Sequence, residues 1–222
     1  SRWIGLDPLV VSIGLFRPAL FPHLRVESPS LGPAACLSTG KAMEQSRVES
    51  LMKRGLFVGR RLKHPLLLAE CVPGGTTTAQ AVLTGMGLSV ADLISSSALN
   101  PPIELKQALI KKGILACAWR ESPSPELLMA SLGDPFQPFA VGLILGAREA
   151  GRPVLLGGGS QMVAVLALAI SVINKDLRSD FLSEVVVGTT SWLAEESSFN
   201  DCSSDFGSLE CLMNRVGDHF GV

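Results

Sequence analysis

From Glu70 to Thr78 the chain reads Glu-Cys-Val-Pro-Gly-Gly-Thr-Thr-Thr, which sets a carboxylate, a glycine pair and a run of hydroxyls close together. Gly74 and Gly75 let backbone approach a ligand, while Thr76, Thr77 and Thr78 place hydroxyls and free amide N–H groups at the start of a helix. The positive end of that helix favours a negative group such as phosphate. A plain strand-to-helix turn with a threonine cap is the competing reading of the same residues. Glu70 argues for chemistry, because a carboxylate closing the apolar run Leu66-Leu67-Leu68-Ala69 is costly without a partner or a task.

Two further stretches have the same grammar. Gly157-Gly158-Gly159-Ser160-Gln161 follows an apolar strand and opens a helix, and three glycines in a row point to close approach of backbone or ligand. Gly188-Thr189-Thr190-Ser191 follows Val185-Val186-Val187. If the three strands are parallel, Gly158, Gly159, Ser160, Thr189 and Thr190 lie on one rim with the first turn, and that rim suits a small ligand with a phosphate-sized group. Lys106 sits early on its own helix; a lone lysine there reads as a surface charge. Asp134-Pro135-Phe136-Gln137-Pro138-Phe139 is an aromatic and amide-bearing loop suited either to cover a planar ring or to plug the core. His23, His64 and His219 lack metal-ligand spacing, so no metal site is expected.

The elements that position these residues follow from periodicity. An apolar run from Leu9 to Leu15 predicts a short strand, and the prolines after it predict extended loops. Residues 43–62 alternate charge and apolarity at helical spacing despite Gly55 and Gly59, which predicts a surface helix with its Lys and Arg cluster in solvent. Asn100 with the prolines after it predicts a helix start, Ser124-Pro125 predicts a capped short helix, and a helix from Phe136 ends at Gly151. Met162 to Ile173 is apolar nearly all round and reads as a buried helix, too short to span a bilayer. Short apolar strands alternating with helices predict a Rossmann-like α/β fold, a parallel sheet with helices on both faces and ligand loops at the strand C-termini. Residues 195–208, rich in Ser, Asn and Asp, read as a mobile loop.

Composition narrows the function class. Charged residues make up 18% of the 222 residues against a typical share of about 25%, and apolar residues make up 47%, which argues against disorder. A net charge of −1 carries no footprint for nucleic acid. Mean hydropathy of +0.36 reflects core rather than membrane. Five scattered cysteines without a Cys-x-x-Cys pair argue against a disulfide framework and for a reducing cytoplasm. No targeting peptide is visible, and the abrupt ends read as truncation on both sides.

From about Pro65 onward the sequence resembles the nicotinate-nucleotide:dimethylbenzimidazole phosphoribosyltransferase family, above all its archaeal and cyanobacterial branch. The family's G-E-M-G-I-G-N-T-T falls on Ala69 to Thr77, keeping Glu70, Gly74, Thr76 and Thr77. Its L-G-G-F-E-I-A-A-M-A-G-A-I-L-G-A runs without a gap onto Leu132 to Ala147, and its P-V-L-L-D-G onto Pro153 to Gly158. The family's Met-Gly-Ile and Asn become Cys71-Val72-Pro73 and Gly75, the aspartate of the third stretch becomes Gly157, and its Ser-His becomes Thr190-Ser191. The glutamate that the family carries in a Gly-Glu-Gly or Lys-Glu-Gly segment has no counterpart before Val222.

The resemblance implies one phosphoribosyltransferase-like domain over residues 1–222 that moves the phosphoribosyl group of nicotinate mononucleotide to dimethylbenzimidazole or a related aromatic base, in cobalamin lower-ligand assembly. It implies Glu70 as the carboxylate near the base, Gly74, Gly75, Thr76 and Thr77 with Lys106 as the phosphate cradle, and Phe136 and Gln137 as the wall of the base pocket. It implies small-molecule partners only, no nucleic acid or membrane, no cofactor and a homodimer. A binding protein of the same fold without turnover is the alternative. A dinucleotide-dependent oxidoreductase would call for G-x-G-x-x-G after a strand, which the chain lacks.

Overall fold

The computed structural model describes residues 5, 7–17, 19–94, 102–194 and 208–222. Asn100, the expected helix cap, and the stretch 195–207 of the expected mobile loop lie outside the described residues. Two short strands, β1 (Val11–Ser12) and β2 (Leu24–Arg25), pair in parallel. Helix α1 (Gln45–Gly59) follows, then β3 (Leu66–Ala69), α2 (Gly75–Gly85), α3 (Ile103–Cys117), α4 (Pro125–Leu132) and α5 (Phe136–Glu149). The chain continues through β4 (Val154–Gly157), α6 (Ser160–Val172), α7 (Arg178–Leu182), β5 (Val185–Gly188), α8 (Ser191–Ala194) and α9 (Ser208–Phe220).

Strands β3, β4 and β5 lie side by side in chain order, all parallel, with Ala69, Gly157 and Gly188 in register. The fold is mixed α/β, parallel sheets flanked by helices. Alternate residues of the sheet, Leu66, Leu68, Val154, Leu156, Val185 and Val187, pack into the main apolar core. The intervening row Leu67, Leu155 and Val186 points the other way and is 58%, 38% and 59% exposed. Helix α6 is the centre of the core, every residue from Gln161 to Ile170 being buried. Among the described residues no helix is long and apolar enough to cross a membrane.

Local signals account for several boundaries. The Ser124 hydroxyl accepts from the Leu127 N–H at the start of α4, with Pro125 in the first turn. Gly151, at φ +68°, turns the chain after α5 in the left-handed region that favours glycine.

Gly55 and Gly59 weaken α1 locally, but tertiary packing requires them. A Cβ on Gly55 would lie 2.1 Å from the Phe139 carbonyl oxygen and one on Gly59 2.3 Å from that of Leu143. Across the contact, a Cβ on Gly142 would lie 2.1 Å from the Met52 oxygen and one on Gly146 2.4 Å from that of Leu56. Helices α1 and α5 therefore meet backbone to backbone. The basic cluster of α1 is also less solvated than its pattern suggests. Arg47 pairs with Glu27 at 2.8 Å, the two side chains only 11% and 7% exposed. Arg54 donates to the Val26 carbonyl, and Arg60 pairs with Glu149 on the surface.

The expectation of reduced cysteines needs one correction: Cys211 on α9 is disulfide-bonded, whereas Cys36, Cys71 and Cys117 are free thiols. Wide sequence spacing says nothing about which thiols packing brings within bonding distance.

Candidate functional site

Because Ala69, Gly157 and Gly188 share a register, the turns after β3, β4 and β5 leave the same edge of the sheet. The Gly158 N–H donates to the Gly188 carbonyl at 2.9 Å and ties the second turn to the third. Gly158, Gly159, Ser160, Thr189 and Thr190 thus follow the strands at the same sheet edge as the Glu70 turn.

In the first turn, Gly74 takes φ +78° with open space where a Cβ would stand, so its requirement is conformational. Gly75 is buried, and its Cβ would lie 3.3 Å from the Gln161 amide nitrogen. Helix α2 therefore begins hard against the first turn of α6. Neither α2 nor α6 has a side-chain cap; Gly75 donates to the Val72 carbonyl, Thr77 and Thr78 to that of Gly74, and Met162 and Val163 to that of Gly159, which leaves the N–H groups of Thr76 on α2 and of Ser160 and Gln161 on α6 without a backbone acceptor among the described residues. Thr76 and Thr77 are half-buried there.

Glu70 is exposed at the strand end, so the burial penalty that singles it out in sequence is modest. Its carboxylate accepts from the Val72 N–H. Partial desolvation pushes the carboxyl above its ordinary range; the Val72 hydrogen bond opposes this, and the nearby charge of Asp134 adds to the rise. A carboxylate with a raised pKa is a stronger proton acceptor than an ordinary one.

The second turn departs from expectation in its reason. A Cβ on Gly158 would lie 2.9 Å from Met162 Cγ, and one on Gly159 2.7 Å from Leu193 Cδ2. At these glycines the chain's own side chains, Met162 and Leu193, come close. In the third turn the Thr190 hydroxyl accepts from the Leu193 N–H at 3.3 Å and holds the start of α8.

Lys106 is not a surface charge: it is 7% exposed and donates from Nζ to the Ile94 carbonyl at 3.0 Å. Burial lowers its pKa to about 8. Phe136 is half-buried against the core. Gln137 is wholly buried and donates to Gln161 Oε1 at 3.1 Å, so it meets another side chain and walls no open pocket.

Two residues outside the sequence-based set join the rim from below. Asp134, 5% exposed, accepts from the N–H groups of Phe136 and Gln137 at 3.0 and 3.3 Å through Oδ1. Through Oδ2 it accepts from the Thr78 hydroxyl at 2.5 Å and from Gln161 Nε2 at 2.8 Å. Burial pushes its carboxyl upward against these four donors. A lone amide in the first turn of an otherwise apolar helix was the available signal for Gln161. Two clefts of about 610 and 540 Å³, between β2 and α1 and between α6 and α9, contain no rim residue.

Known proteins agree with this architecture. A family model described as Phosphoribosyltransferase matches residues 1–179. A UPF0284 protein of Prochlorococcus marinus (strain MIT 9313) is 60% identical over the whole chain, which spans 55% of that relative, so the chain covers about half the length of the curated relatives it matches. The crystal structure of CobT from Thermus thermophilus matches at TM-score 0.66 with 15% identity, over 96% of this chain and 68% of that one. A second structure from the same organism, described as a nicotinate-nucleotide-dimethylbenzimidazole phosphoribosyltransferase, matches at TM-score 0.60 with 16% identity and the same coverage. At those identities the structures speak for the fold; the family match and the close relative place the chain, which belongs to the phosphoribosyltransferase family.

Proposed function

We propose that the rim binds a nucleoside monophosphate and that the protein transfers its phosphoribosyl group to an aromatic nitrogen base, nicotinate mononucleotide and dimethylbenzimidazole being the pair that the resemblance implies. The observation that carries this reading is the pairing of two uncapped helix N-termini, those of α2 and α6, with the Glu70 carboxylate on one sheet edge. The second Thermus structure, a nicotinate-nucleotide-dimethylbenzimidazole phosphoribosyltransferase of the same fold, supports the choice of substrates.

The chemistry matches the residues. The bond between ribose C1′ and the pyridinium nitrogen breaks, its electron pair neutralises the ring nitrogen, and nicotinate departs. One nitrogen of the incoming base bonds to C1′, and the proton of its other nitrogen passes to Glu70. The Thr76 N–H and the hydroxyls of Thr76 and Thr77, beside the Gly74–Gly75 turn, hold the phosphate. The half-buried Phe136 borders the base, while Lys106, held on the Ile94 carbonyl, contributes positive potential to the phosphate. A homodimer belongs to the same reading by resemblance.

Nicotinate release from nicotinate mononucleotide, with and without dimethylbenzimidazole, tests the proposal on this chain and on the longer Prochlorococcus relative. Base-dependent release establishes the transferase. Nucleotide binding without release by either protein establishes the alternative, a binding protein that lacks turnover.

A further inference from the structure

A buried carboxylate with no cation among its partners is an expensive way to fill a core, and an apolar side chain of similar size would serve packing better. Among the described residues Asp134 is such a group, and its hydrogen bonds reach three helices that all begin near the same edge: Thr78 on α2, the Phe136 and Gln137 amides on α5, and Gln161 on α6. Gln137 donates to the Gln161 carbonyl oxygen, which leaves the Gln161 NH₂ aimed at Asp134. Gly75, the first residue of α2, rests against that same NH₂. The hydroxyl of Thr78 lies within reach of both Asp134 and the Gly75 carbonyl, at 2.5 and 3.0 Å.

We propose that Asp134 is a positioning residue that locks the first turns of α2 and α6 together, through Thr78 and Gln161, so that the N–H groups of Thr76, Ser160 and Gln161 converge on one phosphate. The inference rests on the phosphoribosyl reading for its ligand, but the lock itself is a property of the unliganded chain. Asp134 does not touch substrate. Its negative charge is compensated by the four donors, two of them from the start of α5, and the ends of α2 and α6 stay open for an anion.

The test uses variants that keep the Asp134 charge and cut its links: Gln161→Met, Thr78→Val, and Thr78→Ser as the conservative rescue. Without ligand, amide exchange is followed at Thr77, Thr78, Met162 and Val163, whose N–H groups bond to Gly74 and Gly159. About tenfold faster exchange confined to these turns, with α1 and α9 unchanged and Thr78→Ser like the parent, supports the lock. Unchanged exchange there, or equal acceleration across α1 and α9, overturns it. Calorimetry with nicotinate mononucleotide and its phosphate-free riboside supplies the second readout. Loss of about 10- to 100-fold for the mononucleotide alone is expected of Gln161→Met and Thr78→Val. Equal loss for both ligands contradicts the proposal. If the parent chain itself shows no preference for the phosphorylated ligand, the phosphoribosyl reading fails, and the exchange data still decide the role of Asp134.

Discussion

Gly142→Ala separates local from tertiary control of this fold, because the two predict opposite signs. In an isolated helix the change stabilises by about 1 kcal/mol. In the folded chain the new methyl would stand 2.1 Å from the Met52 carbonyl oxygen, well inside the 3.0 Å that real Cβ atoms essentially never breach. Neither partner is a flexible side chain that could swing away; both are helix backbone. Helices α1 and α5 must part by roughly 1 Å, which loosens the contacts around the buried Leu51, Phe139 and Leu143. Overpacking of this kind costs about 1 to 3 kcal/mol, and backbone-to-backbone contact belongs at the upper end. Less the propensity gain, a net loss of about 2 kcal/mol is expected, equivalent to a melting temperature lower by about 4 to 8 °C for a chain of this size. Differential scanning calorimetry, with a urea titration beside it, measures the change. A melting temperature equal to or above that of the parent would refute the close helix contact and the reason given for Gly55, Gly59, Gly142 and Gly146.

Glu70→Gln should leave nucleotide binding intact and lower transfer by about 10²-fold or more, as removal of a proton acceptor does, and unchanged turnover would remove Glu70 from the mechanism. Since its carboxyl is pushed upward and must be ionised to act, the acid limb of the pH–rate profile should stand above the ordinary carboxylate range, and Asp134→Asn should move it down by removing a like charge. Thr76→Ala should weaken phosphate-bearing ligands specifically; equal loss for a phosphate-free nucleoside in the same titration would contradict the cradle. For Lys106, the folded chain lowers the pKa from 10.5 to about 8, so the unfolded state holds the proton more tightly and stability should rise as pH climbs between those values. Urea midpoints across that window should show the rise in the parent and not in Lys106→Met.

What the chain's own order of residues determined is the repeating unit. Leu66 to Ala69, Val154 to Gly157 and Val185 to Gly188 are short apolar runs, each with Gly or Thr within the next few residues, and such signals act over a few neighbouring residues. Ser124 with Pro125, and Gly151 after α5, marked helix ends for the same reason. The rim followed once the strands were parallel. Tertiary structure alone decided which distant residues meet. Gly55 and Gly142 look like weak points of two separate helices until the helices are laid against each other. Lys106 reads as a surface charge until α3 buries it, and Gln137 as a pocket wall until α6 encloses it. The carboxylate of Asp134 gains its place only when Thr78 and Gln161, 56 and 27 residues away, close around it. Sequence periodicity encodes which face of an element is apolar, whereas close packing and buried hydrogen bonds depend on the separation and rotation of two faces, and those exist only after the elements have assembled.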